Sequence, residues 1–260
     1  MALDSYSQFW LLDPVTDSNF YLPFDEGSGE LIAEVEIGEY TLTDIAVQIQ
    51  DAMNAIAVAN TYSVSFDRST RKYTITSDNT TFSLLISTGS VIGVDIFSLI
   101  GFSGSDTSFA LSQTSNNSSG SVYSPQFKLQ DYVPSNNYQE ATSAAISTTA
   151  SGDVEVVSFG TTNFIEMSIM FCTNIAQPSI GPIRNNLTGE DDFRNFMIFA
   201  TKKYPIEFII DEDDYNTFEN ILLEKTESDS KGVGFKIKEM YGKGLPGYFE
   251  SGKLTFRNID

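Results

Sequence analysis

The sequence predicts a mainly β protein with α+β elements: a small strand–helix–hairpin module followed by a second, antiparallel β domain. Three observations predict it. Twenty Phe and twelve Tyr accompany a single Trp, and aromatic rings suit pleated, half-covered sheets better than helical bundles. One stretch, 43–59, carries an apolar period near four, and beyond Ala59 and Asn60 the period drops to two. A polar run without periodicity, Ser112-Gln-Thr-Ser-Asn-Asn-Ser-Ser-Gly120-Ser121, separates two patterned halves. A chain of 260 residues with a 41% apolar fraction can fill two medium cores. The expected divisions are 1–36, an N-terminal aromatic and acidic arm or pair of edge strands; 37–111, the strand–helix–β module; 112–122, a linker; and 123–260, a β-rich assembly domain with one helix near 213–224.

In the arm, Phe9, Trp10, Leu11 and Leu12 form one apolar cluster and Phe20, Tyr21, Leu22 and Phe24 another, between Asp- and Asn-rich turns. Exposed aromatics near a chain end can bind neighbouring molecules, so Phe9, Trp10, Phe20 and Tyr21 are assembly candidates, with local packing as the competing role. Gly27-Ser-Gly29 reads as a simple turn, since no following Lys or helix completes a phosphate loop. Leu31, Ala33, Val35 and Ile37 then alternate with Glu30, Ile32, Glu34 and Glu36, a strand with a carboxylate-lined outer face. Carboxylates in one such row, without a cleft, are solvated neighbours rather than an acid–base pair.

The module opens on a helix start. Thr41 can accept from the amide of Asp44 and Asp44 can return the bond, while Tyr40 can pack on Ile45. Ile45, Ile49, Ala52, Met53 and Ile56 then make one apolar stripe. Tyr62, Val64 and Phe66 alternate with Ser63 and Ser65, the polar turn Asp67-Arg-Ser-Thr-Arg71 follows, and Tyr73, Ile75 and Ser77 resume the alternation: a hairpin for the helix to cover. Phe82, Leu84 and Ile86 supply another strand, and Gly89–Gly104 a glycine-governed return with one helical turn. In the second half, a polar segment spans Asn136–Gly152, alternation runs from Val154 through Phe171, residues 174–192 read as a loop, and Phe193–Phe199 and Ile206–Ile210 read as strands. Asp211-Glu-Asp-Asp214 precedes Tyr215, Phe218, Ile221 and Leu222 at helical spacing, and acidic residues at a helix start meet its unpaired amides. A calcium loop would need ligands at alternating positions around a central Gly, a geometry missing here, so no metal is expected. Val233–Met240 and Gly252–Arg257 close the chain as strands, flanking a loop whose Tyr248 and Phe249 complete the assembly candidates.

Composition narrows the chemistry. The chain has no His, so His-based triads, His-containing zinc motifs and imidazole proton shuttles are excluded by count. Its one Cys, Cys172, lies in an apolar run and reads as a buried thiol rather than a nucleophile. No catalytic residue, cofactor or metal site is expected, and the chain is read as not an enzyme. The charge is −20, from 35 acidic and 15 basic residues. Residues 1–60 contain no Lys or Arg, whereas the 225–257 segment is rich in Lys. That balance opposes a nucleic-acid clamp, which needs a basic stripe. It suits a surface that repels DNA, or the docking of one end of a subunit on the other end of its neighbour. No apolar window approaches a membrane helix and the N-terminus carries no secretion pattern, so synthesis in the cytoplasm without membrane insertion is expected. Asn116 and Asn117 each head an N-x-S triplet, without a secretion signal to make them glycosylation sites.

The run Gly38-Glu-Tyr-Thr-Leu-Thr-Asp-Ile45, the helix behind it, Tyr62-Ser-Val-Ser-Phe-Asp-Arg68, Lys72-Tyr-Thr-Ile-Thr-Ser77 and Leu99-Ile-Gly-Phe102 resembles a strand–helix–hairpin module of virion proteins from tailed bacteriophages and large DNA viruses. The segment Tyr204–Ile259, with Leu245-Pro-Gly-Tyr-Phe-Glu-Ser-Gly-Lys-Leu-Thr-Phe-Arg257, resembles the close of a phage tail or baseplate subunit of the distal-tail kind. Together these cover a little over half of the chain, and the helix–hairpin pattern is also similar to a module of flagellar hook-associated proteins. The resemblance implies a virion structural subunit without an active site, at the tail tip, baseplate or tail tube, forming a homo-oligomeric ring around the DNA path. Its implied partners are copies of itself and other tail proteins, with DNA passing nearby without specific binding; head decoration stays open. The alternative is a host-binding or glycan-binding virion accessory protein, and a carboxylate glycosidase comes third.

Overall fold

The computed structural model describes residues 7–123, 137–148, 154–169, 193–211, 214–239, 244 and 249–259, with 137–148, 154–162 and 239 described by their backbone. The expected mainly β class, with α+β elements, is the class observed. The strands are β1 (Gln8–Leu11), β2 (Tyr21–Asp25), β3 (Glu30–Glu34), β4 (Tyr62–Asp67), β5 (Lys72–Ser77), β6 (Ser83–Leu84), β7 (Ser112–Thr114), β8 (Ser121–Tyr123), β9 (Asn137–Thr148), β10 (Val154–Ser168), β11 (Ile206–Ile209), β12 (Phe218–Thr226), β13 (Lys238–Glu239), β14 (Phe249–Glu250) and β15 (Lys253–Asn258). The helices are α1 (Asp44–Ile56) and α2 (Phe193–Thr201). A seven-stranded antiparallel sheet runs in the order β8-β1-β11-β12-β15-β10-β9, and three smaller sheets among the described residues run β3-β2-β6, β4-β5-β7 and β13-β14.

The seven-stranded sheet is a wall shared by two cores, and β1 shows why. Successive side chains on a strand point to opposite faces. Trp10 and Leu12 enter the core built by β2–β7 and α1, whereas Phe9 and Leu11 enter the core under α2. β11 repeats the division, Ile209 on the first side and Ile206 and Phe208 on the second. The uninterrupted apolar run Phe9-Trp-Leu-Leu12 is thus a strand covered on both faces. The aromatic-rich first stretch, read as an arm or edge strands, contributes an interior strand, with Phe9 opposite Phe208 and Tyr123. Likewise 112–122, read as a linker, supplies β7 to one sheet and β8 to another.

The helix–hairpin module forms as its pattern predicts. Ile45, Ile49 and Met53 are fully buried on one face of α1. The Asp44 amide donates to Thr41 Oγ1 at 3.1 Å, and Thr41 Oγ1 donates back to the Asp44 carboxylate at 2.7 Å. The outer edge of β4 is closed by side chains of α1: Asn54 exchanges two hydrogen bonds with the Tyr62 backbone, and Gln50 Oε1 accepts from Val64 N–H. Beside it Glu26 accepts from the amides of Val58 and Ala59, from Asn60 Nδ2 and from Tyr62 Oη. Burial alone would raise the Glu26 pKa, but these donors outweigh it and hold the carboxyl below its ordinary value.

Three sequence expectations are corrected. The helix near 213–224 is a turn followed by β12: Asp214 accepts from Asn216 N–H and Thr217 Oγ1, and Phe218 to Ile221 pair with β11. Ile221 and Leu223 are the buried apolar positions, a period of two, because ladder pairing with β11 and β15 on either side overrides the helical spacing of four apolar residues. Phe193–Phe199, expected as a strand, lies in α2, whose buried Phe193, Phe196, Met197 and Ala200 fall at helical steps. The polar segment 136–152 contains β9. Of the expected Val233–Met240 strand, only Lys238–Glu239 pairs, as β13, among the described residues. Cys172 and the 174–192 loop lie outside the described residues.

Candidate functional site

The sequence-predicted assembly aromatics do not form one surface. Phe9 is 1% and Trp10 2% exposed, so both are packing residues of this subunit. Phe9 lies at the centre of an aromatic cluster, its ring 4.6 Å from Phe196 and 4.8 Å from Phe208. Phe20 and Tyr21 are half-buried, and their rings contact each other, tilted by 35° with centroids 3.8 Å apart. Phe249 is 9% exposed in the core under α2, and Tyr248 lies outside the described residues. Phe9, Trp10 and Phe249 are inside because each belongs to a strand with an apolar core to cover.

Two other places carry exposed binding capacity. The first is a ribbon. β10 pairs with β15 only over Phe164–Ser168, yet it pairs with β9 from Val154 to Glu166. The stretch Val154–Asn163 therefore projects past the sheet as a two-stranded hairpin arm of about ten residues, on the order of 30 Å at the usual strand rise. The register slips between Ser158 and Gly160, which adds twist. Among the described residues no strand pairs with the outer edge of β9, nor with β10 on its far side over Val154–Asn163. An unpaired strand edge presents a row of N–H and C=O groups to any strand of matching direction.

The second is a groove of ≈ 560 Å³ where the β4–β5 turn meets the seven-stranded sheet, bordered by Gln8, Trp10, the turn residues 68–72, Ser118, Val122 and Tyr215. Beneath it lies a buried ion pair. Glu207 stands opposite Trp10 in the sheet and is fully buried. Strand alternation turns it toward the helix–hairpin module, where its Oε1 accepts from Thr43 N–H and its Oε2 from Arg68 Nη1, both at 2.8 Å. Arg68 Nη2 donates to Thr43 Oγ1 at 2.6 Å, and the guanidinium lies 3.5 Å from the centre of the Phe218 ring. One side chain thereby ties α1, the β4–β5 turn, β11 and β12 together. Tyr73, buried nearby, donates to the Leu42 carbonyl at 2.6 Å. Burial, with the Glu207 charge added, pushes its pKa well up, so it stays a neutral donor.

Arg71 holds the far wall of the groove. Its φ of 53° is the left-handed conformation that side chains rarely adopt. Its guanidinium donates to the carbonyls of Ser119 and Gly120, both at 3.3 Å, fastening the turn to the approach of β8. Gly120 is required there: with φ of +67°, a Cβ would stand 2.6 Å from the Leu11 carbonyl oxygen. The signal for this groove was present in the sequence. Arg68, Arg71 and Lys72 are three cations within five residues, and none precedes them; reading the stretch as a polar turn missed them. Glu207 carried no such signal, since a single Glu inside Ile206-Glu-Phe-Ile209 matches ordinary alternation.

Comparison of the chain with protein-family models, with curated proteins and with solved structures finds no match.

Proposed function

We propose that this chain is a structural subunit of a bacteriophage tail, at the tip, the baseplate or the tube, which joins copies of itself into a ring around the DNA path. The observation that carries the reading is the β9–β10 ribbon, whose outer edges over Val154–Asn163 and along β9 pair with no other strand among the described residues. Two open edges on one projecting element allow the outer edge of β9 in one subunit to pair with the far edge of β10 in the next, a head-to-tail contact that closes into a ring when the rotation permits. The acidic balance of the chain supports a wall that DNA passes without adhering. The strand–helix–hairpin resemblance suggests a virion protein, and the resemblance of Tyr204–Ile259 to the close of a phage tail or baseplate subunit suggests the tail setting.

Light scattering and negative-stain imaging across protein concentrations test the reading, with closed rings or short tubes expected. The edge is tested by comparing Ala144→Pro with Ala145→Pro. Neighbouring amides in a strand point to opposite edges, so one variant breaks the pairing with β10 and the other blocks only the outer edge. The outer-edge variant should keep the monomer's circular dichroism and lose assembly. A strict monomer at every concentration would sink autonomous ring formation and favour the host-binding or glycan-binding alternative.

A further inference from the structure

We propose that the outer edge of β7 pairs with β7 of a second copy of this chain across a two-fold axis, setting Ser112 of each copy opposite Thr114 of the other. The inference goes beyond the ring reading and stands without it. It starts from how the chain treats its strand edges, since an edge presents N–H and C=O groups to any strand that reaches it. The outer edge of β4 is closed by Asn54 and Gln50. β3 carries exposed Glu30 and Glu34 at its edge, so a second β3 in the same arrangement would bring glutamate against glutamate. β7 has neither guard. Among the described residues it pairs with β5 alone, and the stretch Ile96–Tyr123 around it holds a single charged residue, Asp106, in a chain that is 19% charged. Asp106 is engaged by the amides of Ser87 and Thr88, at 2.6 and 3.1 Å. Copies of a chain with a formal charge of −20 repel one another over most of their surface, which makes an uncharged edge the place where they can approach.

The register follows from the bonds that β7 already makes. Ser77 N–H donates to the Leu111 carbonyl and Ser115 N–H to the Tyr73 carbonyl, at 2.8 and 2.9 Å, and Gln113 lies opposite Ile75. In an antiparallel ladder every second residue bonds to a given neighbour, so Leu111, Gln113 and Ser115 face β5, while the N–H and C=O of Ser112 and Thr114 face outward. Among the described residues no backbone hydrogen bond of the chain reaches these outward groups. A two-fold axis at Gln113 matches them to their equivalents: Ser112 N–H donates to the carbonyl of Thr114 in the other copy, whose N–H donates back, and the exchange repeats on the far side of the axis. The side chains fit the same register. The Thr74 and Thr114 hydroxyls lie 2.9 Å apart and those of Thr76 and Ser112 3.1 Å apart, two exposed pairs side by side on the sheet. Across the axis each row runs on into the next copy as Thr76, Ser112, Thr114, Thr74. A short ladder alone is a weak contact, and Phe109 and Leu111, 51% and 50% exposed at the entry to β7, add apolar area to it.

Light scattering on the full chain tests the contact, in the outer-edge proline variant that blocks the ribbon. There the chain should form a dimer as its concentration rises. Adding S112K/T114K, or S112E/T114E, should return it to a monomer, because either change sets like charges face to face across the axis. An equimolar mixture of the two should dimerise again, and thermal melts matching the parent confirm folding. Amide exchange in the wild type needs no substitution: Ser112 and Thr114 should exchange at least tenfold more slowly at high than at low protein concentration, while Gln113, bonded to β5, is protected at both. A ribbon-blocked chain that stays monomeric, or dimers that survive both charge variants, overturns the β7 contact and leaves the ring reading standing. A wild type that dimerises through β7 and forms no rings overturns the ring reading and leaves the β7 contact. Slow exchange at Ser112 and Thr114 in a chain that is monomeric at every concentration would assign the edge to a strand of the same molecule and overturn the contact as well.

Discussion

Glu207 carries the largest single-residue consequence. Removing one member of a buried ion pair leaves the other charge without compensation, at a cost of about 3–5 kcal/mol. Glu207→Ala and Arg68→Ala should therefore each lower the denaturation free energy by roughly that amount, measured by urea titration. Replacing both with Met should cost less than either alanine variant, because no isolated charge then remains inside. Glu26 leads to a pH prediction. Its folded pKa lies below its ordinary value of 4.5 because four donors outweigh its burial. A carboxyl with a depressed folded pKa contributes stability that is complete above the unfolded value and lost as pH falls through the folded one. The melting temperature should thus fall as pH drops below about 4.5, and Glu26→Gln should flatten that slope while lowering stability at neutral pH. An unchanged slope would assign acid sensitivity to other carboxylates.

Among the elements, α1 acts as the cover of an edge as well as the cover of a core. Asn54 and Gln50 occupy backbone groups of β4 that would otherwise present an open edge. Asn54→Ala leaves the Tyr62 amide and carbonyl without these partners and should cost about 1–3 kcal/mol. Amide exchange at Tyr62 and Val64 should rise more than at Tyr73, on the neighbouring strand; equal exchange at all three would remove the edge-cover role. The β9–β10 ribbon is the opposite case, with no further strand on either edge over Val154–Asn163 among the described residues, and its Pro variants probe the cost of keeping it so. The helix near 213–224 failed at this scale for a local reason. Four apolar residues at helical spacing are also compatible with a strand, and only the presence of β11 and β15 on either side decides between them.

Across the whole molecule, the seven-stranded sheet makes the two cores interdependent. Its strands come from the first stretch, the 112–122 stretch and the C-terminal half, so neither core is complete without the others. Trp10, the only Trp, lies in that wall and reports on the first core by fluorescence. Its thermal transition should coincide with that of far-ultraviolet circular dichroism; two separated transitions would show that the cores melt independently. Deleting residues 252–260 removes β15 from between β12 and β10, which should abolish the cooperative transition rather than trim the sheet.

The sequence by itself determined the fold class, the position and buried stripe of α1, the β4–β5 hairpin and the glutamate-rich outer row of β3. All of these depend on contacts close in sequence, where period and turn chemistry act directly on neighbouring residues. It also held the cation cluster at Arg68, Arg71 and Lys72, though not what those cations face. Only the tertiary structure decided that Phe9 and Trp10 serve opposite cores and that 112–122 is woven into two sheets. It also decided that Glu207 is a buried anchor and that the β9–β10 ribbon extends beyond β15. Each of these depends on which distant strands become neighbours, and a local pattern of apolar and polar residues reads the same whichever partner lies alongside it.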